Sequence, residues 1–209
     1  MRNRGLKRTV LFLGIGCMIF YCRLYSIHAD AYYDGLITVK HSEFAVIKNR
    51  KRIQFNHPYK LPENAVANIL SSLYYKEKGL FKRKGTLRVF QDEEVKKLAP
   101  LIAQTFSNAT PTQVVILTSY SYRLILTDRK NSCVLFAEDH SLNIAFTDVH
   151  TFQTFNDFMS EKKKYLVTRE NPVKKTHSSF WKLIPSSGQR LEPGHENWLI
   201  IDLPNEIHQ

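Results

Sequence analysis

Cysteine is scarce in this chain of 209 residues: there are three, and Cys17 and Cys22 both fall in its opening stretch. Without that stretch Cys133 stands alone, so no internal disulfide forms and the fold must hold without covalent staples. Glycine is thin as well. The eight glycines never gather into a loop that could cradle phosphate. A second histidine is missing from His195-Glu196-Asn197-Trp198-Leu199, which excludes a zincin helix, and Ser186-Ser187-Gly188 has no nucleophile-elbow pattern around it. Internal repeats and low-complexity tracts are lacking, as is any nucleic-acid-binding motif.

What is present begins with a basic start: Arg2, Arg4, Lys7 and Arg8, followed by the uncharged run Thr9 to Cys22. That run falls short of the ~20 apolar residues a membrane-crossing helix needs. It matches the apolar core of a secretory signal, with the basic residues as its charged end. Ala29-Asp30-Ala31 fits a small-residue cleavage site, giving a signal over residues 1–31 and a mature domain over 32–209 that starts at Tyr32. Two alternatives remain: lipidation at Cys17 in Gly14-Ile15-Gly16-Cys17, or an uncleaved anchor with Arg23 on the far side. The chain is therefore expected to be exported, periplasmic or secreted.

Removing the first 31 residues lowers the formal charge from +11 to about +7 and leaves roughly 178 residues, enough for one domain with a sizeable core. The remaining positive charge sits in short clusters, Lys48 to Arg52, Lys82-Arg83-Lys84, Lys162-Lys163-Lys164 and Lys174-Lys175. These read as solvated turns that could also meet an anionic membrane surface. Nucleic acid is not expected as a partner. Cys133 lies in the apolar run Cys133 to Ala137 and reads as a small buried hydrophobe.

The framework centres on residues 85–120. Thr86 to Phe90 reads as a strand, Asp92 onward as a helix, and Gln113 to Leu117 as a buried strand. In the helix, Asp92, Glu93 and Glu94 suit the positive N-terminal end, and Val95, Leu98, Ala99, Ile102, Phe106 and Ala109 form its apolar stripe. Pro100 within the stripe predicts a kink or a split. Before it, Leu36 to Lys40, Glu43 to Lys48 and Arg52 to Phe55 suit a small antiparallel meander. A first helix follows Pro62, with Val66, Ile69, Leu70, Leu73 and Tyr74 on one face and Gly79 as its stop.

From Thr112 to His150 the pattern becomes that of strands. Tyr120-Ser121 is either a tight junction or a bulge, and Asp128 to Asn131 and Glu138 to Ser141 are turns. Leu142, Ile144 and Phe146 make one buried face. Phe152, Phe155, Phe158 and Met159 suggest a docking helix or an aromatic membrane face. Residues 168–197 read as a long polar loop anchored by Phe180-Trp181, and Trp198 to Leu203 as a last buried strand. Together these predict an α+β fold, a mixed, mainly antiparallel sheet with two principal helices packed on it.

The densest polar set is Glu138, Asp139, His140, Asp148 and His150. Ten strand positions separate His140 from His150, roughly 30 Å when extended, so the two cannot share a metal. Asp148 and His150 can point the same way because strand side chains repeat every two residues. Asp148 and His150, or His195 and Glu196 on the late loop, are the candidate catalytic groups for an envelope hydrolase. No metal site and no cofactor is expected. The favoured function is non-catalytic: an exported envelope protein that binds or supports a protein or envelope component through the sheet edge or the late loop. A peripheral membrane-surface protein using residues 152–159 and Lys162 to Lys164 is the third reading.

Overall fold

A computed structural model describes residues 37–43, 46–48, 51–80, 83–123, 126–153 and 171–203. The signal segment, Cys17, the cleavage site at Ala31, Phe155, Phe158, Met159 and Lys162 to Lys164 lie outside the described residues. Ile37–Gln209 form one compact unit. In chain order its elements are β1 (Thr38–Glu43), β2 (Ile47–Lys48), β3 (Lys51–Arg52), α1 (Glu63–Ser71), β4 (Tyr74–Glu77), β5 (Leu87–Arg88) and α2 (Asp92–Asn108). They continue with β6 (Gln113–Arg123), β7 (Leu126–Glu138), β8 (Ser141–Gln153), β9 (Trp181–Ile184), β10 (Gln189–Leu191) and β11 (Trp198–Asp202).

The fold is α+β. Six strands form the main sheet in the order β1-β6-β7-β8-β11-β10, three form a smaller one, β5-β4-β9, and β2 and β3 pair alone. Every pairing among the described residues is antiparallel. Among the described residues the expected mixed sheet is antiparallel throughout, and α2 carries the chain from the small sheet to the large one.

Alternation along the long strands sends successive side chains to opposite faces, and both faces are buried. Val115, Leu117, Cys133, Leu135, Ile144, Phe146, Leu199 and Ile201 share one core with Val66 and Leu70 of α1 and Leu98, Ile102 and Phe106 of α2. On the reverse face Val114, Ile116, Val134, Phe136, Ala145, Trp198 and Ile200 pack with Val46 and Phe55 from the chain before α1. Asn143, Ala145 and Thr147 are buried as well, so β8 has no wet face, contrary to the single buried face its alternation suggests. Cys133 is a buried free cysteine whose thiol pKa is pushed up by burial.

Several boundaries move. α1 ends at Ser71, well before Gly79, because Tyr74 and Tyr75 are taken into a ladder with β5 and β9. Its C-terminal end is held from a distance: Ser186 Oγ donates to the Ser72 carbonyl at 2.9 Å and Gln189 Nε2 to Ser72 Oγ at 2.7 Å. α2 stays one helix through Pro100. Gln91 and Glu94 form a reciprocal capping box at its start, and its apolar stripe is packed along its length.

β6 runs unbroken past Tyr120-Ser121, with a register irregularity between Ser121 and Arg123. Asp128 to Asn131 belong to β7 and are not a turn. Phe152 extends β8, so the docking helix does not begin there. The expected meander is also rearranged, since β1 pairs with β6 at the edge of the main sheet. The expected loop 168–197 contains β9 and β10. The turn Asp139-His140 is found as read, between the facing residues Glu138 and Ser141.

Candidate functional site

Polar side chains concentrate where β7 and β8 lose register. Lys130 faces Thr151 and Ser132 faces Asp148, which leaves Asn131 opposite both Val149 and His150. Two residues against one is a β-bulge. A second irregularity follows between Ser132 and Cys133. His150 there has φ 49, a left-handed conformation that costs a non-glycine residue roughly 1–2 kcal/mol.

The surroundings offset that cost. The backbone N–H of His150 donates to Asn131 Oδ1 at 2.9 Å, and Nε2 lies 2.8 Å from the Val89 carbonyl. A carbonyl only accepts, so Nε2 carries the hydrogen. Asn131 Nδ2 donates to the same carbonyl at 3.4 Å. The His150 ring stacks on Tyr75 at 5.1 Å and 26°, and the Tyr75 hydroxyl accepts from Arg83 at 2.9 Å. Arg83 in turn grips Glu77 with Nε at 2.9 Å and a terminal nitrogen at 2.7 Å, and Arg129 reaches the same carboxylate at 3.8 Å. The hydrogen bond from Arg83 holds the Glu77 carboxyl below its ordinary pKa. A connected path thus leads from the buried bulge to the rim of the small sheet.

The expectation that Asp148 and His150 share a face fails at this bulge. Val149 belongs to the helix-side core and the His150 ring meets Tyr75 and Val89 of that core. Asp148 instead accepts from Thr151 Oγ1 at 3.1 Å and lies 3.7 Å from Lys130 Nζ. An extra residue in one strand breaks the two-residue repeat on which the expectation rested.

His195 and Glu196 lie on the segment leading into β11 and are engaged separately. The His195 ring stands edge-on to Trp198 at 5.2 Å, with Nε2 3.2 Å from the Val173 carbonyl. Glu196 forms an ion pair with Lys78 of the strand end after β4, and that hydrogen bond lowers its pKa. Among the described residues no three His, Cys, Asp or Glu side chains are grouped to hold a metal ion, and no helix is long and apolar enough to cross a membrane.

Two buried titratable groups escaped sequence reading. His57 Nε2 accepts the Ala137 N–H at 3.0 Å, and burial, aided by the charge of His41, lowers its pKa to about 4. Glu94 is buried under α2, where Gln91 N–H donates at 2.9 Å and Ser119 Oγ at 3.2 Å, yet burial still raises its pKa. The acidic N-terminal turn was legible. The burial of its third member was not.

A carboxyl whose folded pKa is raised binds its proton more tightly in the folded chain. Its ionisation therefore weakens the fold as pH rises from the unfolded pKa through the folded one. Glu94→Gln keeps an acceptor for Gln91 N–H and removes that ionisation. The variant is expected to be at least as stable as the parent at pH 7 and to lose its advantage in acid, as read by urea unfolding at both pH values.

Comparison with protein-family models, curated proteins and solved structures finds no match to this chain.

Proposed function

We propose that this is an exported cell-envelope protein that works by binding or by supporting an assembly rather than by catalysis. The observation that carries the reading is the employment of the four candidate catalytic side chains. Asp148 is bonded to Thr151, His150 braces a strained bulge against Val89, His195 packs on Trp198, and Glu196 ties the late segment to Lys78. Each is engaged in bonding or packing within the framework, and the four contacts lie apart, whereas a catalytic set converges on a shared reacting atom. The basic start and the uncharged run to Cys22 support export.

Two measurements test this. The protein recovered from its native host is expected to start at Tyr32 by N-terminal sequencing and intact mass. A chain that keeps Met1 and stays with the cytosolic fraction overturns the export half. In a host deleted for the native chain, Asp148→Asn and Glu196→Gln are each expected to restore the wild-type phenotype. A folded, normally abundant variant that fails to restore it overturns the non-catalytic half.

A further inference from the structure

The outer face of the three-stranded sheet is basic and apolar at once. Tyr75 of β4 is buried in the core, so by alternation Tyr74, Lys76 and Lys78 turn outward. Across the ladder Ile184 faces Tyr74 and Lys182 faces Lys76, and the Lys78 N–H donates to the Phe180 carbonyl at 2.7 Å. Lys76 and Lys182 are both exposed. They set like charges on one rung, which weakens a strand pair in water and which a facing anion relieves.

At the end of this ladder the chain bends through Gly79, whose φ of 100 suits glycine, into Leu80, which is 97% exposed. Phe180, on the partner strand's approach, is 77% exposed. The other large exposed hydrophobic residue among the described residues, Leu101 on α2, is only 40% exposed. Exposed Lys84 follows on the same connection. Of the described carboxylates beside this face, Glu196 is held by Lys78, with Lys182 adding to the positive field on it, and Glu77 is held by Arg83. Among the described residues the lysines of this face outnumber the acids beside it.

We propose that this end of the β4–β9 ladder docks on an anionic lipid bilayer. Leu80 and Phe180 enter the boundary between head groups and acyl chains, while Lys76, Lys182 and Lys84 meet the head groups. Two protruding side chains cover a few hundred Å², well under the roughly 800 Å² per partner of a specific protein interface. They would gain nothing from a free inorganic anion. A bilayer surface rewards both features together, apolar insertion and diffuse positive charge. This surface differs from the 152–159 segment, and its use does not depend on export.

The test uses the full chain carrying Phe180→Trp, with the parent supplying the background of buried Trp181 and Trp198. Vesicles are phosphatidylcholine alone or mixed with phosphatidylglycerol, with brominated acyl chains as quenchers. On the anionic vesicles the emission of the introduced indole is expected to move to the blue and be quenched. Adding Leu80→Ser should lower vesicle partition roughly tenfold or more. Lys76→Gln with Lys182→Gln should lower it roughly fivefold per lysine. The proposal is overturned if the chain sediments with vesicles while the emission stays that of a water-exposed indole, since binding then lies elsewhere. It is overturned too by an equal response on neutral vesicles, or by quenching that the lysine changes leave intact. Binding to a soluble acidic polypeptide without vesicle quenching would assign the face to a protein partner instead.

Discussion

Replacing Phe136 by alanine is expected to remove about 3–5 kcal/mol of stability, the largest single loss of any substitution considered for this chain. Phe136 is fully buried on the face of the main sheet opposite α1 and α2. Its ring lies 5.0 Å from Phe55 in a tilted contact and 5.8 Å from Trp198 edge-on. Phe55 comes from the chain before α1 and Trp198 from the last strand, so the ring joins two distant segments over β7. Neither is on a helix that could slide to refill the space, and a cavity left unfilled adds its own cost to the lost transfer energy. Urea unfolding should show a lower midpoint with an unchanged slope, and Phe136→Leu should recover most of the loss. A deficit below about 1 kcal/mol for the alanine variant would mean that this second face is not a packed core.

The second large effect is an acid-side loss of stability centred on His57. The folded chain holds this imidazole neutral, with a pKa of about 4 against 6.5 when unfolded. Between those values the unfolded chain binds a proton that the folded chain refuses, so stability falls as pH drops. The contribution is complete above pH 6.5, declines from there to about pH 4, and is worth on the order of 3 kcal/mol in all. Protonation would also place a hydrogen on Nε2, which now accepts from the Ala137 N–H. His57→Gln retains an acceptor and does not titrate. The difference between parent and variant in denaturant midpoints should vary across this window and be flat above it. A parallel pair of curves from pH 4 to 7 would refute the assignment. Glu94 acts in the opposite direction, and Glu77 and Glu196 lose their contributions as pH falls from the ordinary carboxylate pKa through their own lowered values. The comparison of parent with variant isolates His57 from all three.

The parts of this fold that were legible in the sequence are those set by local spacing. The stripe Val95, Leu98, Ala99, Ile102 and Phe106 gives α2, and the run Gln113 to Leu117 gives the start of β6, because helical and strand periods appear within one window. Pro100 did not break the helix, since packing of residues on both sides outweighs one absent hydrogen bond. Asp128 to Asn131 looked like a turn by composition. The strand keeps these polar residues because Asn131 is spent on the His150 N–H, a partner 19 positions away. β9 is four residues long and flanked by Pro185 and Gly188, too short for alternation to outweigh the breakers. The candidate site followed the same division. Asp148, His150, His195 and Glu196 could be named from residue type, but a bulge decided where His150 points. His57 and Glu94 gained their shifted ionisation from burial, which no local pattern encodes.

The ladder between β4 and β9 also has a consequence for the order in which the chain acquires its shape. β4 pairs with a strand about a hundred residues downstream, whereas β6, β7 and β8 pair with immediate neighbours. At synthesis rates of roughly 5–20 residues per second, β4 leaves the ribosome about 5–20 s before β9 exists, with only the two-residue β5 to pair with sooner. The three long hairpin strands can assemble during that interval from contacts close in sequence, which form fastest. Leu73, Tyr75 and the end of α1 then wait without their cover until the last stretch of chain arrives. Late in synthesis, a holdase or a secretion chaperone would find a long-lived apolar target in residues 66–75.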